Sequence, residues 1–159
     1  MWLVMSDSHD NMPVLKKISD LISERNITHI FHCGDFVAPF TLPLLMKDSV
    51  EFFGVFGNND GERLLLREKS KNKIYPSPHE LEVDGKKIAM FHEPYLLESV
   101  AQSGVYDFVF YGHTHEVDIR KVGNTLIVNP GESCGYLTGK ATVVLLDPKT
   151  GSAELLEIR

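Results

Sequence analysis

Seven residues of this chain have side chains suited to holding a divalent cation, and each follows closely on an apolar run. Asp7 and His9 lie in "SDSHD", Asp35 in "CGD", Asn58 in "FGNND", His92 in "MFHEP", and His113 and His115 in "YGHTHE". They offer carboxylate oxygen, amide oxygen and imidazole nitrogen, the donor set of a hard to borderline metal that requires no thiolate. Mn2+, Fe2+, Zn2+ and Co2+ all suit such a set. Seven donors are too many for one ion with open positions, so the count suggests two divalent ions sharing one ligand. Asp7 and His9 are two residues apart, as are His113 and His115. In extended backbone such pairs face the same way. Asn58 is the most ambiguous of the seven, because Gly-Asn is also common turn chemistry.

The elements that must carry these residues can be read from periodicity. "MWLVMS" is a buried strand. "NMPVLKKISDLISERN" sets Val14, Leu15, Ile18, Leu21 and Ile22 at helical spacing, with Asn11 as cap and Pro13 in the first turn. "THIFHCGD" is a second strand, residues 39–47 a short helix and "VEFFGVFGNND" a third strand. Such alternation implies parallel strands with helical crossovers. Parallel sheets gather ligand sites at the carboxyl ends of their strands, where the seven donors fall. The second half is mostly antiparallel. Hairpins are expected at Asp84-Gly85, at Gly123-Asn124 and around Pro148 to Gly151. The charged, proline-containing stretch 67–78 reads as an exposed loop. The expected class is α/β, with two packed mixed β-sheets flanked by helices.

With 159 residues and 43% apolar content, the chain suits one domain, 1–159, with a sizeable core. A formal charge of −6 argues against nucleic acid as a main partner through a basic face. An anionic substrate would need a local positive centre, which a metal supplies. Cys33 and Cys134 are too few for a disulfide framework and read as reduced, buried thiols. The first apolar run is too short for a signal-peptide core, and no run approaches the length of a membrane span. The expected location is the cytoplasm, with no membrane partner. His29, His32 and His79 read as structural or exposed, Cys33 as packing, and "NPG" at 129–131 as a turn shaping the rim.

The order Asp-x-His, Gly-Asp, Gly-Asn, His, Gly-His-Thr-His resembles the calcineurin-like metallophosphoesterases, from Asp7 to the "NPGESCGY" loop at 129–136. The short length resembles the small prokaryotic phosphodiesterase branch. The resemblance implies a four-layer α-β-β-α sandwich and a metal-dependent phosphoric ester hydrolase acting on a small phosphodiester. It implies a dinuclear centre in which Asp7, His9 and His115 hold one metal, Asn58, His92 and His113 hold the other, and Asp35 bridges. A hydroxide between two such ions would attack phosphorus in line with the leaving alkoxide. Relatives often form dimers or larger homo-oligomers.

Three positions depart from the family pattern. Many relatives carry a general-acid His where this chain has Asn59, and an amide donates a hydrogen bond without giving up a proton. Asn59 and its neighbour Asp60 are therefore the candidate catalytic residues, Asp60 by orienting a nearby histidine. Glu93 stands where relatives often read His-Gly-His, and Glu132 replaces a commoner small residue. With both acids in the cleft, a singly charged diester would be preferred over a monoester. Two other readings compete. One is a protein-binding scaffold of the same fold with a weak site. The other is a nuclease or phosphomonoesterase of the same family.

Overall fold

The computed structural model describes residues 1–159. Its first strand shows how the two cores are divided. In β1 (Trp2–Met5) all four residues are buried. Trp2 and Val4 face one apolar cluster, Leu3 and Met5 another, as period-two alternation requires of a strand covered on both faces. The outer cluster is closed by α1 (Met12–Glu24), which turns Leu15, Ile18 and Ile22 onto the sheet. Asn11 caps α1 by accepting from the Val14 amide at 3.4 Å.

The first sheet continues with β2 (His29–His32), a 3-10 turn over Pro39–Leu44, β3 (Glu51–Val55), α2 (Arg63–Lys69) and β4 (Ile74–Tyr75). Strands β1 to β4 pair in parallel. Across β1, β10 (Thr142–Asp147) and β11 (Ser152–Glu157) add antiparallel edges. The second sheet contains β5 (His79–Val83), β6 (Lys86–Met90), β7 (Phe108–Phe110), β8 (Val117–Val122) and β9 (Thr125–Pro130), in the order β5-β6-β7-β9-β8. Here β6, β7 and β9 are parallel, and β5 and β8 are antiparallel edges.

Between the sheets Trp2, Val4 and Phe31 meet Met90, Phe108 and Phe110. The far face of the second sheet packs Val109 and Ile127 against Leu97 and Ala101 of α3 (Leu97–Gln102). The layers are thus helix, sheet, sheet, helix, as expected. All three expected hairpins are present, joining β5 to β6, β8 to β9 and β10 to β11. No helix is long and apolar enough to cross a membrane.

Two local expectations need correction. Residues 67–78 are not simply a loop, since they contain the end of α2 and all of β4. Leu66, Ser70 and Ile74 are fully buried and dock the segment on the first sheet, while the charges that suggested a loop face solvent. Helix α3, unforeseen in the sequence, is six residues long, too short to show a helical period.

Candidate functional site

The parallel strands of both sheets end at one rim, and all seven donors sit there. Asp7 and His9 follow β1, Asp35 follows β2, Asn58 follows β3, His92 follows β6, and His113 and His115 follow β7. Strand alternation is not what aligns the paired residues. Asp7, His9, Asp35, His113 and His115 all have left-handed backbone, with φ of 52°, 39°, 59°, 67° and 61°. The chain therefore turns sharply at each strand end and throws these side chains inward. Positive φ in non-glycine residues is costly and is concentrated at functional sites. The turns are tied together by amide donations from Asp7 to the Gly34 carbonyl (3.0 Å) and from His9 to the Asp35 carbonyl (3.1 Å).

Two glycines permit the close approach. A Cβ on Gly57 would lie 2.1 Å from Asp35 Oδ1, and one on Gly112 would lie 1.9 Å from Ser6 Oγ. At Gly57 the Asp35 backbone nitrogen is also only 2.5 Å away, and at Gly112 the Ser6 Cβ is 2.9 Å away, so a side chain at either position would push the turns apart.

The donors form two groups joined by Asp35. His115 Nε2 is 3.3 Å from Asp7 Oδ1, and His9 Nε2 is 3.9 Å from the same oxygen and 3.4 Å from Asp35 Oδ2. On the other side, His92 Nε2 lies 3.5 Å from Asp35 Oδ1 and 2.8 Å from Asn58 Oδ1, and His113 Nδ1 lies 3.0 Å from Asn58 Oδ1. Asp7, Asp35 and His92 are buried, His9 and His115 half-buried, and Asn58 and His113 exposed.

The protonation pattern bears on what these atoms can bind. His92 Nδ1 is 2.7 Å from the Cys33 carbonyl, which only accepts, so Nδ1 carries a proton and the tautomer this selects presents its Nε2 lone pair to the Asn58 oxygen. His115 Nδ1 donates to Glu132 Oε2 at 2.7 Å, which likewise leaves its Nε2 lone pair toward Asp7. Asp7 Oδ1 and His9 Nε2 are buried atoms with no hydrogen-bond partner at all. Lone pairs converging without protons, with buried acceptors left over, are what a cation would satisfy. The residues therefore fit divalent metal. Burial pushes the Asp7 carboxyl above its ordinary value, although the Ser6 hydroxyl donates to Oδ2 at 2.5 Å and opposes the shift.

Three acids differ from their expected roles or become clearer. Asp60 does not orient a histidine. Its buried carboxylate accepts from the amides of Gly57 (2.7 Å), Val37 (2.8 Å) and Asp35 (3.0 Å), lashing the β2 and β3 turns together. No histidine ring reaches it because these three amides take up its oxygens. Glu132 does not line the cleft either. It is buried and accepts from His115, from the amides of Leu137 (2.9 Å) and Thr138 (2.6 Å), and from the Thr138 hydroxyl (2.7 Å). Burial alone would raise its pKa, but the bonds from Thr138, His115 and Leu137 outweigh it and hold the group at about 2. Glu93, half-buried, does line the cleft, a cavity of about 380 Å3 that also takes in Asn58, Arg63, His92 and Tyr95.

Asn59 donates to Asp35 twice, through its backbone amide to Oδ1 (2.8 Å) and its side chain to Oδ2 (2.7 Å). Asn129 donates to Gly112 O (3.2 Å) and Thr114 Oγ1 (3.0 Å), so the "NPG" turn braces the "GHTH" turn from beneath. His32 is fully buried, stacked on Phe36 at 3.7 Å and bonded to Ser8, and burial pushes its pKa well down. Glu132, the Cys33 carbonyl and Arg63 were not recognised from the sequence as parts of the rim's support. Only Glu132 carried a signal there, as an acid where relatives have a small residue.

Known proteins resemble this chain in sequence and fold. The profile of the calcineurin-like phosphoesterase superfamily domain matches residues 1–151. A phosphodiesterase of Methanocaldococcus jannaschii is 39% identical over 150 residues, covering 91% of this chain and 90% of that protein. A solved structure of an archaeal phosphodiesterase superposes with a TM-score of 0.91 at 36% identity, covering 98% of both chains. Vacuolar protein sorting 29 from Cryptosporidium parvum shares the fold, with a TM-score of 0.66, 16% identity and coverage of 98% of this chain and 95% of that one. The chain belongs to the calcineurin-like phosphoesterase superfamily.

Proposed function

We propose that this protein hydrolyses phosphodiesters at a pair of divalent cations. Asp7, His9 and His115 would hold one ion, Asn58, His92 and His113 the other, and Asp35 would serve both. The observation that carries the reading is the unpaired set of lone pairs, above all the buried Asp7 Oδ1 and His9 Nε2. When bound, two such ions neutralise the phosphate oxygens and lower the pKa of a water to about 7, supplying the hydroxide nucleophile. Mn2+ is the preferred occupant, with Ni2+, Fe2+, Zn2+ and Co2+ admitted by the mixed donors.

The chain's own residues set the rest. The Cys33 carbonyl and Glu132 fix the rings of His92 and His115, and Asp60 fixes the backbone of Gly57 and Asp35. Asn59 can donate a hydrogen bond to a phosphate oxygen but gives no proton to the leaving alkoxide. A general acid contributes about 10²–10⁴-fold, so esters with good leaving groups are favoured. With Glu132 turned away, Glu93 alone is left to oppose the second charge that a monoester carries at the reacting phosphate itself. The buried thiols of Cys33 and Cys134 suit a reducing cytoplasm.

Metal-stripped protein should be assayed on a p-nitrophenyl diester and the matching monoester, with Mn2+, Ni2+, Mg2+ or no metal, beside His113→Ala. Metal-dependent diester hydrolysis, lost in the variant and faster than monoester hydrolysis, is the expected result. The fold shared with vacuolar protein sorting 29 makes a protein-binding scaffold the second reading. That reading predicts no turnover with any metal.

A further inference from the structure

The cleft beside Asn58 and His92 contains one cation, Arg63, whose side chain is held in place. Its Nε donates to the Asp60 carbonyl and its Nη2 to the Gly57 carbonyl, each at 3.0 Å. The guanidinium also lies over the Phe56 ring, 5.3 Å from its centroid. An exposed arginine is ordinarily free to move, whereas this one is fixed by two carbonyls and an aromatic face. Its Nη1 makes no hydrogen bond, and no carboxylate comes within ion-pairing distance of any of its nitrogens.

Bracing of the turn uses Nε and Nη2 and leaves the Nη1 edge open. A planar fork with unused donors is suited to carboxylate and phosphate oxygens. Arg63 bonds to none of the seven metal-ligand candidates, and it shares the cleft with two of them, Asn58 and His92. The cavity, about 380 Å3, lies near the lower end of small-molecule sites. It has room for one ring or a short polyol. The relocation of Glu132 away from the cleft leaves Glu93 as the only acid set against this cation.

We propose that this cleft is a subsite for the ester substituent, and that Arg63 selects substituents carrying a second anion, carboxylate or phosphate. The proposal rests on the phosphodiesterase reading of the adjoining rim. It makes the preferred substrate a diester with one charge at the reacting phosphate and another on a compact substituent.

The test uses two diesters with a common p-nitrophenyl leaving group, p-nitrophenyl phenyl phosphate and p-nitrophenyl 4-carboxyphenyl phosphate. Mn2+-loaded protein is compared with Arg63→Lys and Arg63→Met. The expected kcat/KM is about tenfold higher for the carboxylated diester, the low end for a charged hydrogen bond at an exposed site. That ratio should fall to one in Arg63→Met and to an intermediate value in Arg63→Lys. Loss of the brace alone would slow both diesters by the same factor and leave the ratio unchanged, which overturns the proposal, as does a wild-type ratio of one or below. If neither diester is turned over, the esterase reading fails. Equilibrium titration of the same two diesters then decides the subsite. Tighter binding of the carboxylated diester that is lost in Arg63→Met upholds it, and equal binding overturns it.

Discussion

Replacing Glu132 by alanine separates a supporting role from a substrate-facing one. The carboxylate accepts from His115 Nδ1 at 2.7 Å, from the amides of Leu137 and Thr138 at 2.9 and 2.6 Å, and from the Thr138 hydroxyl at 2.7 Å. The Cys134 thiol adds a weaker bond at 3.3 Å. Truncation removes every one of these acceptors. The imidazole of His115 loses the partner that sets its tautomer and its angle toward Asp7, an effect typically worth about 10–100-fold in metal affinity. The two amides and the hydroxyl also lose their acceptor. A buried donor left unpaired costs about 1–3 kcal/mol. Leu137 is 76% exposed, so water can replace part of that loss, and about 2–4 kcal/mol in total is expected.

The assay is calorimetric titration of Mn2+ into metal-stripped wild type, Glu132→Ala and Glu132→Gln, with thermal unfolding of each metal-free protein alongside. The glutamine keeps one acceptor oxygen but presents an amine to atoms that themselves donate. It should recover part of the stability and little of the metal affinity. If Glu132→Ala bound Mn2+ as tightly as wild type, the histidine would be oriented by something else, and the assignment of Glu132 would be wrong. If instead affinity were unchanged and only diester KM fell, Glu132 would belong to the cleft after all.

Two further substitutions probe the turns. Asp60→Ala leaves two buried amides and the half-buried one of Val37 without an acceptor, so a loss of about 3–5 kcal/mol is expected in denaturant unfolding, and a loss below 1 kcal/mol would refute its role as a tie. Gly57→Ala drives a methyl group against Asp35, 2.1 Å from Oδ1. Metal titration should show affinity reduced at least tenfold, and wild-type affinity would mean that the two turns can part without cost.

The residue types of the rim were legible in the sequence because chemistry alone marks them. Asp, Asn and His after apolar runs stand out without any knowledge of the fold. The layers were legible for a similar reason, since the unbroken apolar run of "MWLVM" marks a strand covered on both faces and the spacing of Leu15, Ile18 and Ile22 marks a helix covered on one. What supports the rim was less visible. The acceptor that orients His92 is the carbonyl of Cys33, and a backbone atom has no signature in a sequence. The left-handed turns at Asp7, His9, Asp35, His113 and His115 likewise defeat any argument from strand alternation. Asp60 and Glu132 were visible as acids, but their partners, backbone amides of other turns and a ring seventeen residues away, depend on the closed fold. Residues 67–78 were misread because the buried Ser70 and Ile74, with Leu66 just before them, outweighed their charged neighbours.

These features together imply that the rim is costly to fold when metal-free. Five of the seven candidate ligands have φ between 39° and 67°, and residues in such regions cost about 1–3 kcal/mol each. Asp7 and Asp35 are both buried, and Asp7 Oδ1 and His9 Nε2 have no partner. Cations held by these donors would bind the folded chain and not the unfolded one, and so would stabilise it by mass action. At a free concentration of 100 Kd one site gives about 2.7 kcal/mol, and a domain of this size gains about 2–4 °C per kcal/mol. Calorimetry of chelator-treated protein should therefore show the melting temperature rising by about 5–11 °C as Mn2+ is added, with the rise blunted in His115→Ala. A midpoint indifferent to Mn2+, Ni2+ and Zn2+ would mean that the chain's own hydrogen bonds hold the turns, and the case for a metal centre would fall with it.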